Sequence, residues 1–426
     1  MEDSCFRGTL KLDGRKINWR SLFGKETTYD CLKCGMCCYY QVGLTDEEAH
    51  GLRGKKKTSK SFKSCETTTV QGQKTACYCM NSKDDGSCTH LTKDHLCDIY
   101  RMRPHVCRVF PFALTPDVEG GAVVDIDFRC PYVNVEGLPK VKKKDVENAV
   151  NDSVKSKDME SFKAVSEYRT TLAKHLRTTF RVSFLPAKER DDFMKKALDI
   201  LFDTKFLTDM PLRVHNWYDE ITTHSYDVLI NQDKGTLSGE KRSERILKSL
   251  KKQMSKVGDP GKANIDKNRW GQLLSDLKNI ICVRDDKIYR VPVHIGWIIN
   301  VGGVGTRGLD KLQYSKEAIS YLKKYFLHNT RRPQFQVTCL LASEYLLDVK
   351  EHVAVDYTMD AVLLSNILSQ YIDFAARVAA AFRSHDRIER EDVLTATDNV
   401  DPFFTASLNN GLLLREMKSQ IDKNLG

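Results

Sequence analysis

The stretch "TYDCLKCGMCCYYQ" (residues 28–41) carries four cysteines, at positions 31, 34, 37 and 38, in the spacing C-x2-C-x2-C-C. Two residues between cysteines allow one tight turn to direct both sulfurs toward a single ion. Adjacent residues such as Cys37 and Cys38 point their side chains in different directions, so we do not expect both to serve the same ion. The stretch therefore predicts two neighbouring metal centres, each completed by ligands from farther along the chain.

The downstream sequence supplies enough thiols to complete two such centres. A tetrahedral zinc site takes four ligands, and a cubane iron–sulfur cluster usually takes four thiolates. We therefore predict these metal ligands: Cys31, Cys34, Cys37, Cys38, Cys88, Cys97, Cys107 and Cys130. Three further cysteines, Cys65, Cys77 and Cys79, are possible additional ligands or a third site, and Cys5 is expected to take no part.

Two arginines lie close to Cys107 in the sequence. Four thiolates around a divalent ion leave a net charge of about −2, which a buried site must offset. We expect Arg103 and Arg108 to donate cationic hydrogen bonds to the ligand sulfurs, and the alternative is an ordinary surface ion pair. His90, His95 and His105 could each replace a thiolate, but with eight cysteines present we expect them to form hydrogen bonds or lie on the surface.

The ordered set of motifs resembles the CxxCxxCC family of zinc- or iron-chelating domains. The matching segments are "CLKCGMCC" (31–38), "CTHL" (88–91), "CDIYRMRPHVCRVFP" (97–111) and the distant Cys130. The resemblance spans about residues 28–135 and implies bound zinc or iron. The basic stretch 53–63 and the three extra cysteines depart from the family pattern.

The spacing bears on which metal is bound. A C-x2-C-x2-C run with a remote cysteine followed by proline, here Cys130 and Pro131, is similar to the ferredoxin ligand run, although Cys38 directly after the third ligand is a departure. Zinc sites usually present two C-x2-C pairs, and this chain has one overlapping set. We expect an iron–sulfur cluster in at least one centre, with zinc as the alternative.

The distribution of cysteines indicates metal binding rather than a disulfide framework. Twelve of the 14 cysteines lie at or before Cys130 in a chain of 426 residues. The start "MEDSCFRGTLKLDGRK" lacks the pattern of a signal peptide, and no apolar run is long enough to cross a membrane, so we expect a cytoplasmic protein. Cytosolic thiols are kept reduced, which makes disulfides the less expected use of these cysteines.

The chain is long enough for two or three domains, and we predict an α+β protein. A small metal-stapled cysteine-rich domain is expected over residues 1–135, because punctuating Gly, Pro and Lys residues leave little periodic core. A helical segment over 136–232, a basic polar linker or insertion over 233–267 and a mainly helical C-terminal domain over 268–426 follow. Apolar residues at spacings of three and four predict helices in 162–176, 187–207 and 359–383, and β-branched residues predict a short hairpin near 285–301.

Three functions from different classes fit these patterns. The first is a metal-binding module with an electron-transfer or structural role and a protein partner. The second is a protein lysine N-methylase-like enzyme using S-adenosylmethionine and an iron–sulfur cluster, because some members of the family are flagellin lysine N-methylases; they space their early cysteines differently. The third is a zinc-dependent nucleic-acid-binding protein using the lysine runs 53–63, 140–144 and 240–256, since the net charge is +10. A solvated surface is the simpler reading of those lysines, and "GVGTRG" (303–308) reads as a glycine-rich turn rather than a dinucleotide site.

Overall fold

The computed structural model describes most of the first 155 residues and four later parts of the chain. The described ranges are 5–155 without 13, 41, 56–57, 69–73, 85 and 119; parts of 162–195; 279–292 without 285–286; 312–336 without 334; and 368–409 without 370, 371 and 374. Contacts between Cα atoms divide the chain into two compact units, Met1–Leu172 and Ala173–Gly426. Helices and sheets are both present, which confirms the α+β class. The predicted boundaries at 135, 232 and 267 stay predictions. The predicted linker 233–267 and the glycine-rich turn 303–308 lie outside the described residues.

A four-stranded sheet forms one half of the first unit. Strands β1 (Cys5–Leu12) and β2 (Arg15–Gly24) form an antiparallel hairpin. Strand β7 (Ala122–Ile126) pairs in parallel with β2 and antiparallel with β6 (Phe112–Pro116), giving the order β1-β2-β7-β6. All five residues of β7 are buried, as expected for a central strand covered on both faces.

The helix α3 (Lys143–Lys155) covers this sheet. It packs against β1, β6 and the short helix α2 (His105–Val109). Its buried face carries Val146, Ala149 and Val150, at spacings of three and four as an amphipathic helix requires. Because α2 contains Cys107, this packing ties one predicted ligand to the hydrophobic core.

A second, smaller sheet supports the cysteine region. Strands β3 (Gly43–Leu44), β4 (Phe62–Thr68) and β5 (Lys74–Met80) lie in the order β3-β5-β4. Helix α1 (Asp46–Arg53) begins at a capping box, in which the Thr45 side chain accepts from the Glu48 amide and Glu48 accepts from the Thr45 amide. The sheet and helix bury a small apolar cluster: Val42, Leu44, Ala49, Leu52, Met80 and Ile99. Cys88, Cys97 and Cys107 pack against it, so this cluster is the platform for three of the predicted ligands.

The second unit contains one hairpin and several helices. Strands β8 (Asn279–Arg284) and β9 (Lys287–Pro292) pair antiparallel. The predicted hairpin is therefore confirmed, but its position near 285–301 is corrected, because the β-branched run "NIICV" before the turn supplies the first strand.

Helices make up the rest of the described part of the second unit. Helix α4 (Lys316–Asn329) packs against α5 (Arg390–Asn409), which has 20 residues. The described residues of 368–383 are helical, as predicted for 359–383, and those between 162 and 171 in the first unit are helical too. In the part of the chain that the structure describes, no helix has both the length and the hydrophobicity needed to span a bilayer.

Candidate metal centre

The first two predicted ligands lie in the loop that follows β2. Cys31 is exposed and Cys34 is half-buried. The loop turns at Gly35, whose φ of 76° is left-handed, and a Cβ at this position would come within 2.9 Å of the Leu91 side chain and 3.1 Å of the His95 carbonyl. Glycine is therefore required here, both for the backbone conformation and for the close approach of the loop to the later cysteine segments.

The adjacent cysteines lie in the 3₁₀ turn Met36–Tyr39, directly after Gly35. The turn is closed by the amide of Cys38, which donates to the carbonyl of Gly35 at 2.9 Å. The amide of Cys88 in turn donates to the carbonyl of Cys38 at 2.7 Å. This backbone bond ties a cysteine of the first motif to one fifty residues later.

Six of the eight predicted ligands line one cavity of 220 Å³. Its apolar lining includes Val42, Met80 and Ile99, which belong to the core of the first unit. The six cysteines are Cys31, Cys37, Cys38, Cys88, Cys97 and Cys107. Cysteines from three distant segments of the sequence thus border one concave site.

The electrostatic surroundings of these thiols show which of them are close together. Burial raises the pKa of the Cys107 thiol to about 12, and the neighbouring Cys37, Cys88 and Cys97 raise it further. The hydrogen bond from Cys38 lowers the pKa of Cys37 to about 7, against the effect of burial, and the charge of Arg103 lowers it too. The same hydrogen bond raises the pKa of Cys38, with burial and the nearby Cys37, Cys88 and Cys97 adding to the effect.

A second group of thiols forms around Cys130, which is buried in the turn after β7. Burial raises its pKa to about 12, and Cys34 and Cys31 are close enough to raise it further. Tyr29 joins this group: burial raises the pKa of its hydroxyl, and so do Cys31, Cys130 and Cys37. The Tyr29 side chain also forms a hydrogen bond with Cys31.

The donor chemistry of the two groups fits zinc or iron. Both metals bind thiolate sulfur, and all eight predicted ligands are thiols outside any disulfide. Throughout the described ranges, however, no three His, Cys, Asp or Glu side chains already converge in a geometry that could hold one ion. The sulfurs would therefore have to turn inward, and six of them border a cavity into which they can do so.

The two arginines have different surroundings. Arg103 lines the cavity, stacks over the Tyr100 ring with its guanidinium carbon 3.8 Å from the centroid, and lowers the pKa of several cysteines electrostatically. Arg108 is exposed and donates to the carbonyl of Arg103 at 3.1 Å. Arg103 is therefore the cation beside the sulfurs, whereas Arg108 supports the backbone of Arg103.

The three histidines have the hydrogen-bonding roles expected of them or lie at the cavity wall. His90 is buried, with Nδ1 2.7 Å from the Asp98 carboxylate and Nε2 2.6 Å from the Ser61 hydroxyl. His105 donates its backbone amide to Glu48 at 2.6 Å. His95 lines the cavity without a role that the geometry defines.

The extra cysteines lie in the β4–β5 hairpin. Cys65 and Cys79 are joined by a disulfide, with Cα atoms 5.9 Å apart. A disulfide sulfur is not a thiolate ligand, so in this structure these two residues are not the additional ligands that the sequence allowed. The reason is register: the antiparallel pairing places Cys77 opposite Cys65 and Cys79 two residues beyond, within disulfide distance.

Residues 30–150 match the CxxCxxCC family model. Its description is "Putative zinc- or iron-chelating domain", and the match extends past Cys130 into α3. We call residues 30–150 the CxxCxxCC domain; the domain that they resemble is described as chelating zinc or iron. Searches of the curated proteins and of the solved structures found nothing that matches the chain.

Sequence reasoning missed two features of the CxxCxxCC domain. The first is Tyr29, which interacts with Cys31 and Cys130. The only hint of this role in the sequence is its position two residues before Cys31. The other is a set of exposed apolar side chains beside the cysteines: Leu32, Leu96, Tyr100 and Val106. Single apolar residues in polar loops give no periodic signal, so a pattern search does not find them.

Proposed function

We propose that the CxxCxxCC domain binds metal in two neighbouring four-thiolate centres and transfers electrons through an iron–sulfur cluster in one of them. The first centre takes Cys31, Cys34, Cys37 and Cys130. The second centre takes Cys38, Cys88, Cys97 and Cys107. The observation that carries the proposal is the position of Cys130 beside Cys31 and Cys34, at the opposite end of the domain sequence.

The division into two centres is supported by the neighbours of the adjacent cysteines. Cys37 interacts with Cys34 and Tyr29 of the first group and also with Cys97 and Cys107 of the second. Cys38 interacts with Cys88 and Cys97, and its carbonyl accepts the amide of Cys88. The neighbours of Cys38 therefore assign it to the second centre, and we assign Cys37 to the first because adjacent side chains diverge.

The iron–sulfur assignment of the first centre rests on its ligand order. Three cysteines at C-x2-C-x2-C spacing with a distant Cys130–Pro131 reproduce the order of a ferredoxin run. The second centre has no C-x2-C pair. Three of its cysteines, Cys88, Cys97 and Cys107, pack against the apolar cluster that contains Met80 and Ile99. A closed tetrahedral ion fits that second environment.

The residues around the first centre have roles that suit electron transfer. When bound, a cluster supplies a one-electron couple; the chain supplies its environment. Tyr29 donates a hydrogen bond to the Cys31 sulfur and packs its ring against Phe112 with 5.8 Å between centroids. Arg103 places positive charge beside the sulfur of Cys37 in the first centre and that of Cys107 in the second. This charge offsets the negative charge of the thiolates. Tyr40 stacks on Arg129 and packs against Phe110, which limits the access of water from this side.

The proposal is tested by purifying the full chain without oxygen and measuring iron, zinc, acid-labile sulfide and the optical spectrum. We expect a brown protein with about four irons and four sulfides in the first centre, and a charge-transfer absorption that bleaches on reduction. A colourless protein that contains zinc in both centres would exclude electron transfer and leave only metal chelation.

A further inference from the structure

Exposed apolar side chains concentrate around the cysteine cavity. Among the described residues, four large hydrophobic side chains are exposed: Leu32 (51%), Leu96 (47%), Tyr100 (48%) and Val106 (41%). Leu96 and Tyr100 line the cavity itself. Leu32 lies between two lining residues, Cys31 and Lys33, and Val106 precedes the lining residue Cys107. The exposed apolar surface of the described chain is therefore at the rim of the candidate metal centre.

Exposed apolar groups at one place need an explanation, because the exposed apolar residues of a soluble protein are normally scattered. Core packing does not explain them, since the side chains of Leu32 and Leu96 face solvent. Chelation does not require them either, since none of the four supplies a metal-binding atom. A surface that contacts another molecule explains both their exposure and their position.

The charges around this rim are mixed, with more cations than carboxylates: exposed Asp30, Asp94 and Asp98 also lie next to lining residues. Lys33 and Arg103 line the cavity, Arg101 lies next to Tyr100 and Arg108 next to Cys107. Lys33, Arg101 and Arg108 are exposed. A mixed surface of apolar side chains among cations is complementary to a partner with an apolar centre among carboxylates.

We propose that this rim, defined by Leu32, Leu96, Tyr100, Val106 and Arg101, is the docking surface for an acidic one-electron carrier protein. The inference rests on the proposed function, because only a redox-active centre gives such a partner something to exchange. One electron passes between the reduced carrier and the oxidised cluster, and no bond or proton moves. The rim surrounds the cavity that Cys31 and Cys37 of the first centre line, so a partner docked there lies beside the proposed cluster.

Such a complex is expected to be weak and sensitive to salt. Electron-transfer encounters bury small interfaces, and their charge complementarity acts mainly on the rate of association. Arg101 is a suitable charge to test, because it is exposed and lies four residues from the nearest cysteine in the sequence, Cys97. Leu96 tests the apolar part of the surface.

The test is a binding titration of the metal-loaded full chain with an acidic [2Fe–2S] ferredoxin, with a basic cytochrome c as the charge-opposite probe. We expect saturable binding of the ferredoxin that weakens about tenfold between about 50 and 300 mM salt, and far weaker binding of the cytochrome. Arg101→Glu and Leu96→Ser should each weaken ferredoxin binding about tenfold. Val106→Ser replaces Leu96→Ser if the latter loses metal.

Lys11→Glu is the matched control, because Lys11 is also exposed but lies on β1 and does not line the cavity. It should leave binding unchanged. Equal affinity for both probes, no binding of the ferredoxin, or equal effects of Lys11→Glu and Arg101→Glu would overturn the docking surface. The metal content and colour of each sample separate the two proposals: a colourless protein sinks the iron–sulfur proposal, whereas an intact cluster without salt-dependent binding sinks the docking surface alone.

Discussion

Cys37 and Cys38 show how much one residue changes the surroundings of a thiol. Their sulfurs share a hydrogen bond, yet this bond lowers the pKa of Cys37 and raises that of Cys38. The charge of Arg103 adds to the first effect, and the nearby Cys88 and Cys97 add to the second. Adjacent cysteines are thus unequal in acidity before any metal is bound.

Tyr29→Phe tests the residue that the sequence did not reveal. Loss of the hydroxyl removes its hydrogen bond to the Cys31 sulfur, and without this donor the reduced, more negative state of a cluster is less stabilised. We expect the reduction potential of the first centre to fall by on the order of tens of mV, measured by an optical redox titration. Tyr132→Phe is the control, because its side chain is near Cys34 and Cys130 without a hydrogen bond to either. Equal shifts in the two variants would contradict the assigned role of Tyr29.

At this scale the sequence predicted which residue types matter but not their grouping. Spacing and family resemblance predict the eight cysteines as ligands, and all eight are thiols outside any disulfide. The position of Cys130 beside Cys31 and Cys34 depends on β6 and β7 returning the chain to β2, a long-range arrangement that local spacing does not contain. Arg103 and Arg108 looked equivalent in sequence, and only the conformation of the 97–111 segment distinguishes them.

The elements that hold the cysteines are short and are stabilised by local devices. The three-stranded sheet buries only a small apolar cluster, so caps and cross-links carry more of the stability than in a large core. The capping box of α1 and the disulfide of the β4–β5 hairpin are two such devices. Each one predicts a separate effect.

The Cys65–Cys79 disulfide is expected to be structural and independent of the metal. The double substitution Cys65→Ser with Cys79→Ser removes a cross-link over 14 residues and should cost about 3 kcal/mol of unfolding free energy. Metal content should be unchanged, as measured by elemental analysis. Cys5→Ser is the control, since Cys5 lies on β1 outside both proposed centres, and it should leave both stability and metal content near the wild-type values. Loss of metal in the double variant would return these cysteines to the ligand set.

Glu48 couples the cap of α1 to the segment that carries Cys107. Burial alone would raise its pKa, but hydrogen bonds from the His105 ring, the His105 amide and the Thr45 amide lower it from 4.5 to about 2. A carboxyl whose pKa is depressed on folding stabilises the protein above its unfolded pKa, and that contribution is lost as the pH falls from about 4.5 to about 2.

Glu48→Gln keeps the shape of the side chain and removes the charge. At about pH 7 we expect it to lower the unfolding free energy by about 1–2 kcal/mol, measured by urea unfolding. The difference between the two proteins should shrink as the pH falls below about 4.5. A difference that stays constant down to about pH 2 would mean that the charge of Glu48 contributes nothing.

Secondary-structure elements were predicted best where their pattern is periodic. The helix predicted over 359–383 agrees with the described residues from 368 onward. The hairpin was predicted too far along the chain, because its first strand "NIICVR" is short and apolar. Short apolar runs fit a strand or a buried helix equally well. The disulfide was not expected, because its formation depends on the register of β4 and β5 rather than on composition.

The whole molecule consists of two compact units with different means of stabilisation. The first unit combines a buried sheet with the cysteine region. The second contains buried ion pairs: Arg383 and His385 both contact the Asp392 carboxylate, at 2.6 and 2.8 Å, and Arg377 pairs with Asp373 at 3.0 Å. The second unit therefore depends on side-chain charges, whereas the first is proposed to depend on metal.

Asp392→Ala should destabilise the second unit strongly. The side chain is fully buried, and its loss would leave the guanidinium of Arg383 without its partner carboxylate. We expect a loss of about 3–5 kcal/mol, seen as faster hydrogen exchange in α5. Asp386→Ala is the control, because that carboxylate is 88% exposed and should change little. Metal content of the first unit should stay at the wild-type value in both variants.

The central claim is that two neighbouring centres divide the eight thiols between them. Metal analysis of the anaerobic full chain carrying Cys130→Ser or Cys88→Ser tests it most directly. We predict that Cys130→Ser loses the iron of the first centre and keeps the metal of the second, while Cys88→Ser does the reverse. If both variants lose all metal together, or neither loses any, the division into two centres is contradicted.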